Sequence, residues 1–151
     1  MFDHLGLRVD SHVPELGRTL GEALLEPHRS YLGMVKPILD YGTIKGMAHI
    51  TGGGITDNLP RILPRDTHAL IRVGSWPLPE LFHFLQEQGE VEAEEMFRVF
   101  NMGIGMILAV EPSGLAEVLS LLRSTGQRSF LIGTVQKEGS GVVYDLESTV
   151  S

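Results

Sequence analysis

Gly46-Met47-Ala48-His49-Ile50 runs directly into Thr51-Gly52-Gly53-Gly54, and this stretch decides the fold. A short, mostly apolar run of this kind predicts a buried strand. The glycines end it, and a helix is expected from near Thr56, with Leu59, Ile62 and Leu63 on one side. Pro60 falls in the first turn of that helix, where a missing N–H is tolerated. The unit is therefore strand, glycine loop, helix.

The same alternation continues downstream. Ala69–Val73 is a strand candidate, and Trp76-Pro77-Leu78-Pro79 is a stiff turn. Leu78, Leu81, Phe82 and Leu85 then recur at helical spacing over about Pro79 to Gln88, closed by Gly89. Ala93, Met96, Phe97 and Phe100 repeat the pattern behind the acidic run Glu90–Glu95, a charge order that suits the positive end of a helix dipole. Ile104–Val110 predicts a covered strand. Ser113 is placed to cap a helix with Leu115, Val118, Leu119 and Leu122 inward, ended by Gly126. Phe130–Val135 and the alternating Val142, Tyr144 and Leu146 predict two more strands, separated by the Gly139-Ser140-Gly141 turn. Upstream, Thr19 with Glu22 three residues on predicts a capping box, and a second short helix is expected over about Met34–Asp40, with Gly42 beyond its end. The expected fold is a single α/β domain over residues 19–151, with helices packed on a mixed sheet, preceded by a weakly patterned lead-in segment, residues 1–18.

Composition narrows the function classes. With 151 residues and 42% hydrophobic content the chain can bury a core. Twelve Lys+Arg against 19 Asp+Glu leave a net charge of −7, which argues against a general nucleic-acid binder. There is no cysteine, so disulfides, thiolate metal sites and a Cys nucleophile are impossible. No apolar run approaches the roughly 20 residues of a membrane span, and Met1-Phe2-Asp3-His4 lacks the basic and apolar start of a signal peptide. The expected location is cytoplasmic.

Three local features have chemical meaning. Thr51-Gly52-Gly53-Gly54 lets successive N–H groups converge in front of a helix, an anion site without a basic side chain; the bland alternative is a plain strand-to-helix turn. Thr51, Thr56, Asp57 and Asn58 are available to add contacts. In Phe100-Asn101-Met102-Gly103-Ile104-Gly105-Met106 the alternating glycines bare one face, which admits either a ligand or a packed helix, and Asn101 either reads a ligand or caps the strand. In Pro27-His28-Arg29-Ser30-Tyr31, followed by Lys36, the cations either hold a phosphate or carboxylate or are solvated surface charges. The six histidines have no H-x-x-x-H pair and no acidic partner at ligand spacing, so no metal ligands are assigned. His49, beside the glycine loop, is the candidate acid/base or phosphate donor, or else a structural histidine. No G-x-S-x-G elbow supports a hydrolase.

Taken together, Leu24-Leu25-Glu26-Pro27-His28-Arg29-Ser30-Tyr31, Ala48-His49-Ile50-Thr51-Gly52-Gly53-Gly54-Ile55-Thr56-Asp57-Asn58-Leu59-Pro60-Arg61, Gly74-Ser75-Trp76-Pro77 and Glu95-Met96-Phe97-Arg98-Val99-Phe100-Asn101-Met102-Gly103-Ile104-Gly105-Met106 resemble the C-terminal half of phosphoribosylformylglycinamidine cyclo-ligase, or aminoimidazole ribonucleotide synthetase. The resemblance implies a step of de novo purine synthesis. ATP activates the amide oxygen of formylglycinamidine ribonucleotide, the neighbouring amine closes the imidazole ring, and phosphate leaves, with Mg2+ required. It further implies a two-domain homodimer whose N-terminal domain carries the metal-binding acids and nucleotide contacts. Nothing before Thr19 resembles that domain, so this chain is expected to be inactive alone, with the missing N-terminal domain as its partner. By resemblance Gly52, Gly53 and Gly54 bind a phosphate, of the substrate ribose or of ATP. His49, Thr51 and Asn101 face the cleft, with His49 and Asn101 as catalytic residues, and Arg29 and Tyr31 lie nearby. Leu32-Gly33-Met34 interrupts the family's Arg-x-Tyr-Val-Lys run, so no ligand role carries over to Lys36. Two other readings stay open. One is a different enzyme of the same superfamily, such as selenophosphate synthetase, thiamine-phosphate kinase or a hydrogenase-maturation protein. The other is a catalytically silent anion- or partner-binding module.

Overall fold

The computed structural model describes residues 5–39 and 42–146. In chain order these form β1 (His12–Val13), β2 (Arg18–Thr19), α1 (Leu20–Leu24), α2 (Leu32–Leu39), β3 (Ile44–His49) and α3 (Gly54–Asn58). There follow β4 (Thr67–Arg72), α4 (Glu80–Gly89), α5 (Ala93–Val99), β5 (Met106–Val110), α6 (Leu115–Ser124), β6 (Gly133–Lys137) and β7 (Val142–Asp145). The α/β class with a mixed sheet is as expected. The strands are nevertheless divided among three hydrogen-bonded groups: the ribbon β1–β2, the antiparallel pair β3–β5, and the mixed sheet β6-β4-β7.

The core lies where these groups face one another. Ala48 of β3 opposes Ile107 of β5, and both are buried with Ala69 and Ile71 of β4. Ile55 of α3 and Met96 of α5 are fully enclosed in the same cluster. Burying a side chain of this size contributes roughly 1.5–3 kcal/mol, so this cluster dominates the stability of the site's scaffold. A smaller cluster of Val13, Leu20 and Phe84 fastens β1 and α1 to α4.

Several elements depart from expectation for definite reasons. The helix after the glycine loop begins at Gly54 and ends at Asn58, and Leu59–Ile62 tightens into a 3-10 turn. Pro60 therefore follows α3 instead of opening it, because it has no N–H to continue the α-helical ladder. Ser113 lies inside a 3-10 turn over Pro112–Gly114, and Gly114 takes the N-cap position of α6 without a side-chain cap. Gly89 is the last residue of α4, and Glu90 makes the left-handed exit at φ +49°. The expected strand at Phe130 begins only at Gly133, where a Cβ would overlap Leu70 O. The turn Gly139-Ser140-Gly141 crosses the start of β4, since β4 inserts between β6 and β7. There Glu138 N–H donates to Asp66 O and Ala69 N–H to Gly141 O. Asp40, at the expected end of α2, lies outside the described residues.

Candidate functional site

The β3–β5 pair aims the glycine loop. Ile50, with no exposed surface, donates its N–H to Gly105 O at 2.9 Å, so the chain leaves the sheet at a defined point. Thr51 and Gly52 are then exposed, whereas Gly54 is buried. Gly53 and Gly54 both take left-handed conformations, φ +92° and +57°, which glycine adopts without steric cost. A Cβ on Gly54 would overlap Phe97 O, so glycine here lets α3 start against the end of α5. Its own N–H is committed to Thr51 O at 3.1 Å. Among the described residues the N–H groups of Gly52 and Gly53 have no acceptor. A Cβ on Gly52 would meet nothing within 4 Å. The open part of the loop is thus Thr51–Gly52, while Gly53 is half-buried against Asp57.

The polar residues behind the loop are spent inward. Buried Asn58 donates from Nδ2 to Gly52 O (3.2 Å) and Gly54 O (2.8 Å), bracing the bend. Thr56 Oγ1 donates to Phe97 O at 3.2 Å and lies 2.8 Å from Tyr144 Oη. Burial pushes the Tyr144 hydroxyl above its ordinary 10.0, with the Thr56 bond pulling the other way. The Asp57 carboxylate folds against Gly53. A helix of five residues supplies little dipole, so an anion here would depend on the loop amides and on neighbouring side chains.

Those neighbours meet in a groove of about 460 Å³. Thr51, Gly52 and Asn101 line it together with the apolar Ile50, Phe82 and Phe100. Asn101 Oδ1 accepts the Gly103 N–H at 3.0 Å; its amide Nδ2 therefore remains as a donor. Met102, held at φ +49°, completes this turn, and its carbonyl takes the Trp76 indole N–H at 2.8 Å.

The expected residues are not equally placed. His28, which no sequence pattern linked to His49, lines the groove beside Thr51 and Gly52. His49 stands against it, Nε2 to Nε2 at 2.9 Å. Tyr31 packs edge-on to both rings, at 5.7 and 6.0 Å between centroids, and its hydroxyl occupies the space a Cβ on Gly105 would need. The bare face of Gly105 is therefore filled by Tyr31, while the space beside Gly103 is filled by Pro79. Arg29 is exposed, with no hydrogen bond or ion pair among the described residues. A second hollow, of about 300 Å³ between α5 and β7, is lined by Phe97, Val142 and Tyr144 and contains none of the expected site residues. Among the described residues no three His, Cys, Asp or Glu side chains are gathered as a metal site.

A family model described as "AIR synthase related protein, C-terminal domain" matches residues 2–145. The chain belongs to that family. It is 45% identical over 138 residues to a phosphoribosylformylglycinamidine cyclo-ligase of Desulfatibacillum aliphaticivorans, covering 91% of this chain and 40% of the relative. It is 47% identical over 144 residues to the enzyme of that name from Bacillus subtilis, covering 95% and 41%. The resemblance carried by the Ala48–Arg61 and Glu95–Met106 blocks is thereby shown, and the chain spans about 40% of the length of these curated relatives. Among solved structures, the fold is shared with the E. coli hydrogenase maturation protein HypE (TM-score 0.61, 21% identity, 80% of this chain and 37% of that one). It is also shared with a chain of a HypE–HypF complex (TM-score 0.63, 19% identity, 87% and 46%). At these identities the likeness concerns the fold alone. No helix among the described residues is long and apolar enough to cross a membrane.

Proposed function

We propose that this chain forms the C-terminal wall of an ATP-dependent cyclo-ligase cleft that converts formylglycinamidine ribonucleotide to aminoimidazole ribonucleotide in the cytoplasm. The observation that carries the reading is the groove itself: Thr51, Gly52 with its uncommitted amide, and the Asn101 amide share one concavity with the His28 imidazole, and Gly53, its own amide uncommitted, follows directly. Fixed N–H donors suit a phosphate, either the ribose phosphate of the substrate or one of ATP. Gly54 serves the bend and its packing, so ligand contact falls to Thr51, Gly52 and Gly53, with Arg29 able to approach from the exposed segment before Tyr31.

The chemistry follows from donors that do not move. As the γ-phosphoryl group of ATP moves to the substrate amide oxygen and ADP leaves, its charge is spread over three equatorial oxygens, and preorganised donors stabilise it without reorganisation. Asn101 Nδ2 acts as such a donor, and His49 belongs to the imidazole pair that handles a proton as the ring closes. The acids that hold Mg2+, most of the ATP contacts and the homodimer contacts come from the part of the relatives' length outside this chain, which is its partner.

Mixing this chain with a separately produced N-terminal part of a cyclo-ligase tests the reading. The expected result is phosphate release that depends on both polypeptides, on ATP and on formylglycinamidine ribonucleotide. Binding of the ribonucleotide without turnover points instead to a silent binding module. Absence of both binding and turnover overturns the proposal.

A further inference from the structure

The sequence singled out His49, but the groove wall is His28, with His49 bonded to it from β3. The geometry points to His28 as the imidazole that meets a phosphate monoester and to His49 as its positioning residue, the pair taking up one proton when the anion binds. This deepens the anion reading above and rests on it.

The two Nε2 atoms are in contact at 2.9 Å. Such a contact needs one N–H and one lone pair, so the two rings cannot present the same face chemistry. A neutral pair satisfies it, and so does a pair carrying one proton more, with cationic His28 donating from Nε2 to neutral His49. A doubly charged pair does not. With Nε2 occupied, His28 has only Nδ1 left for a ligand. In the singly charged pair that atom is an N–H donor on a cation, the arrangement that makes the stronger bonds to phosphate oxygens. A dianion on the neighbouring loop favours that state over the neutral one, so binding draws in a proton.

Apart from Arg29, the charged groups around the pair are committed elsewhere. Tyr31 presents its ring, edge-on, to both imidazoles. Arg29 is exposed beside His28, and the Glu26 carboxylate is bound to Arg18 at 2.7 Å. From β3, Lys45 is paired with Glu111 at 3.4 Å. Asp57 is folded against Gly53, and Asn101 is neutral. Among the described residues no carboxylate lies within ion-pair distance of either ring, so His49 is the group available to orient His28.

The test is calorimetric titration of the whole chain with ribose 5-phosphate in one arm and ATP in the other. Each arm is run from pH 6 to 8 in two phosphate-free buffers of different ionisation enthalpy, which counts protons taken up. Uptake in either arm supports the pair's role, and the tighter arm names the source of the phosphate. His28→Gln should weaken binding about tenfold, the loss of one charge-assisted hydrogen bond, and abolish the uptake. His49→Gln should reduce the proton uptake and weaken binding less than His28→Gln does. Both imidazoles are exposed, so folding is checked by circular dichroism. Unchanged affinity and proton count in His28→Gln, while Gly52→Ala still weakens binding, overturn this inference and leave the loop reading intact. Failure of the unaltered chain to bind either compound overturns both.

Discussion

A Cβ on Gly54 would overlap the main chain of α5, whereas one on Gly52 would enter open space. Gly54→Ala is therefore expected to cost roughly 2–4 kcal/mol in urea unfolding, since overpacking and a strained positive φ add. Gly52→Ala should leave the melting temperature unchanged and still weaken ribose 5-phosphate binding several-fold by calorimetry. Equal binding would remove Gly52 from the site. Trp76 gives a third case. Its buried indole donates to Met102 O and stands edge-on to Phe97 at 6.5 Å between centroids. Trp76→Phe should cost about 1–3 kcal/mol by the same measurement, because the Met102 carbonyl is left buried without its partner. That carbonyl belongs to the turn that holds Asn101, so the substitution should weaken ligand binding as well.

Short elements differ in how much of their form is local. The start of α1 is entirely so: Thr19 and Glu22 close a reciprocal capping box, with Thr19 N–H donating to Glu22 Oε2 at 2.9 Å and Glu22 N–H to Thr19 Oγ1 at 3.2 Å. Four residues decide it, so it was legible in the sequence. Thr19→Ala should cost about 1 kcal/mol in thermal unfolding. The Thr19 backbone N–H, then its hydroxyl, hold the Glu22 carboxyl below the usual 4.5. A lowered folded-state value means stability present above the ordinary glutamate range and lost as pH falls through it. Melts between pH 5 and 3 should therefore fall less steeply in Thr19→Ala than in the unaltered chain. The helix after the glycine loop was less legible. Its apolar spacing was visible, but Pro60 and the braces from Asn58 to Gly52 O and Gly54 O set where it starts and stops. Ser113 had the chemistry of a cap, yet Pro112 placed the 3-10 turn there first.

Contacts far apart in sequence join these elements. Thr56 and Tyr144, 88 residues apart, tie α3 to β7 through one hydroxyl pair. Burial raises the Tyr144 hydroxyl above 10.0, which means that its neutral form is favoured in the fold. Stability from this source is present below the ordinary tyrosine value and is lost as pH rises through the folded one. Thermal melts from pH 9 to 11 should therefore fall more steeply for the unaltered chain than for Tyr144→Phe. Parallel slopes would show that Tyr144 ionises as freely in the fold as outside it. The same long reach explains the sheets. Alternation along Val142–Leu146 predicts a strand, but only closure of the chain inserts β4 between β6 and β7.

Helical and strand spacing, the capping box and the glycine loop were settled by neighbours within a few positions, whose geometry follows from backbone sterics and hydrogen bonding alone. Family membership was carried by the same short blocks. The division into separate sheets, the inward use of Thr56 and Asn58, and the contact that brings His28 and His49 together came from packing. Each depends on groups brought together across tens of residues, and the preferences of adjacent residues carry no information about which distant side chain will stand opposite.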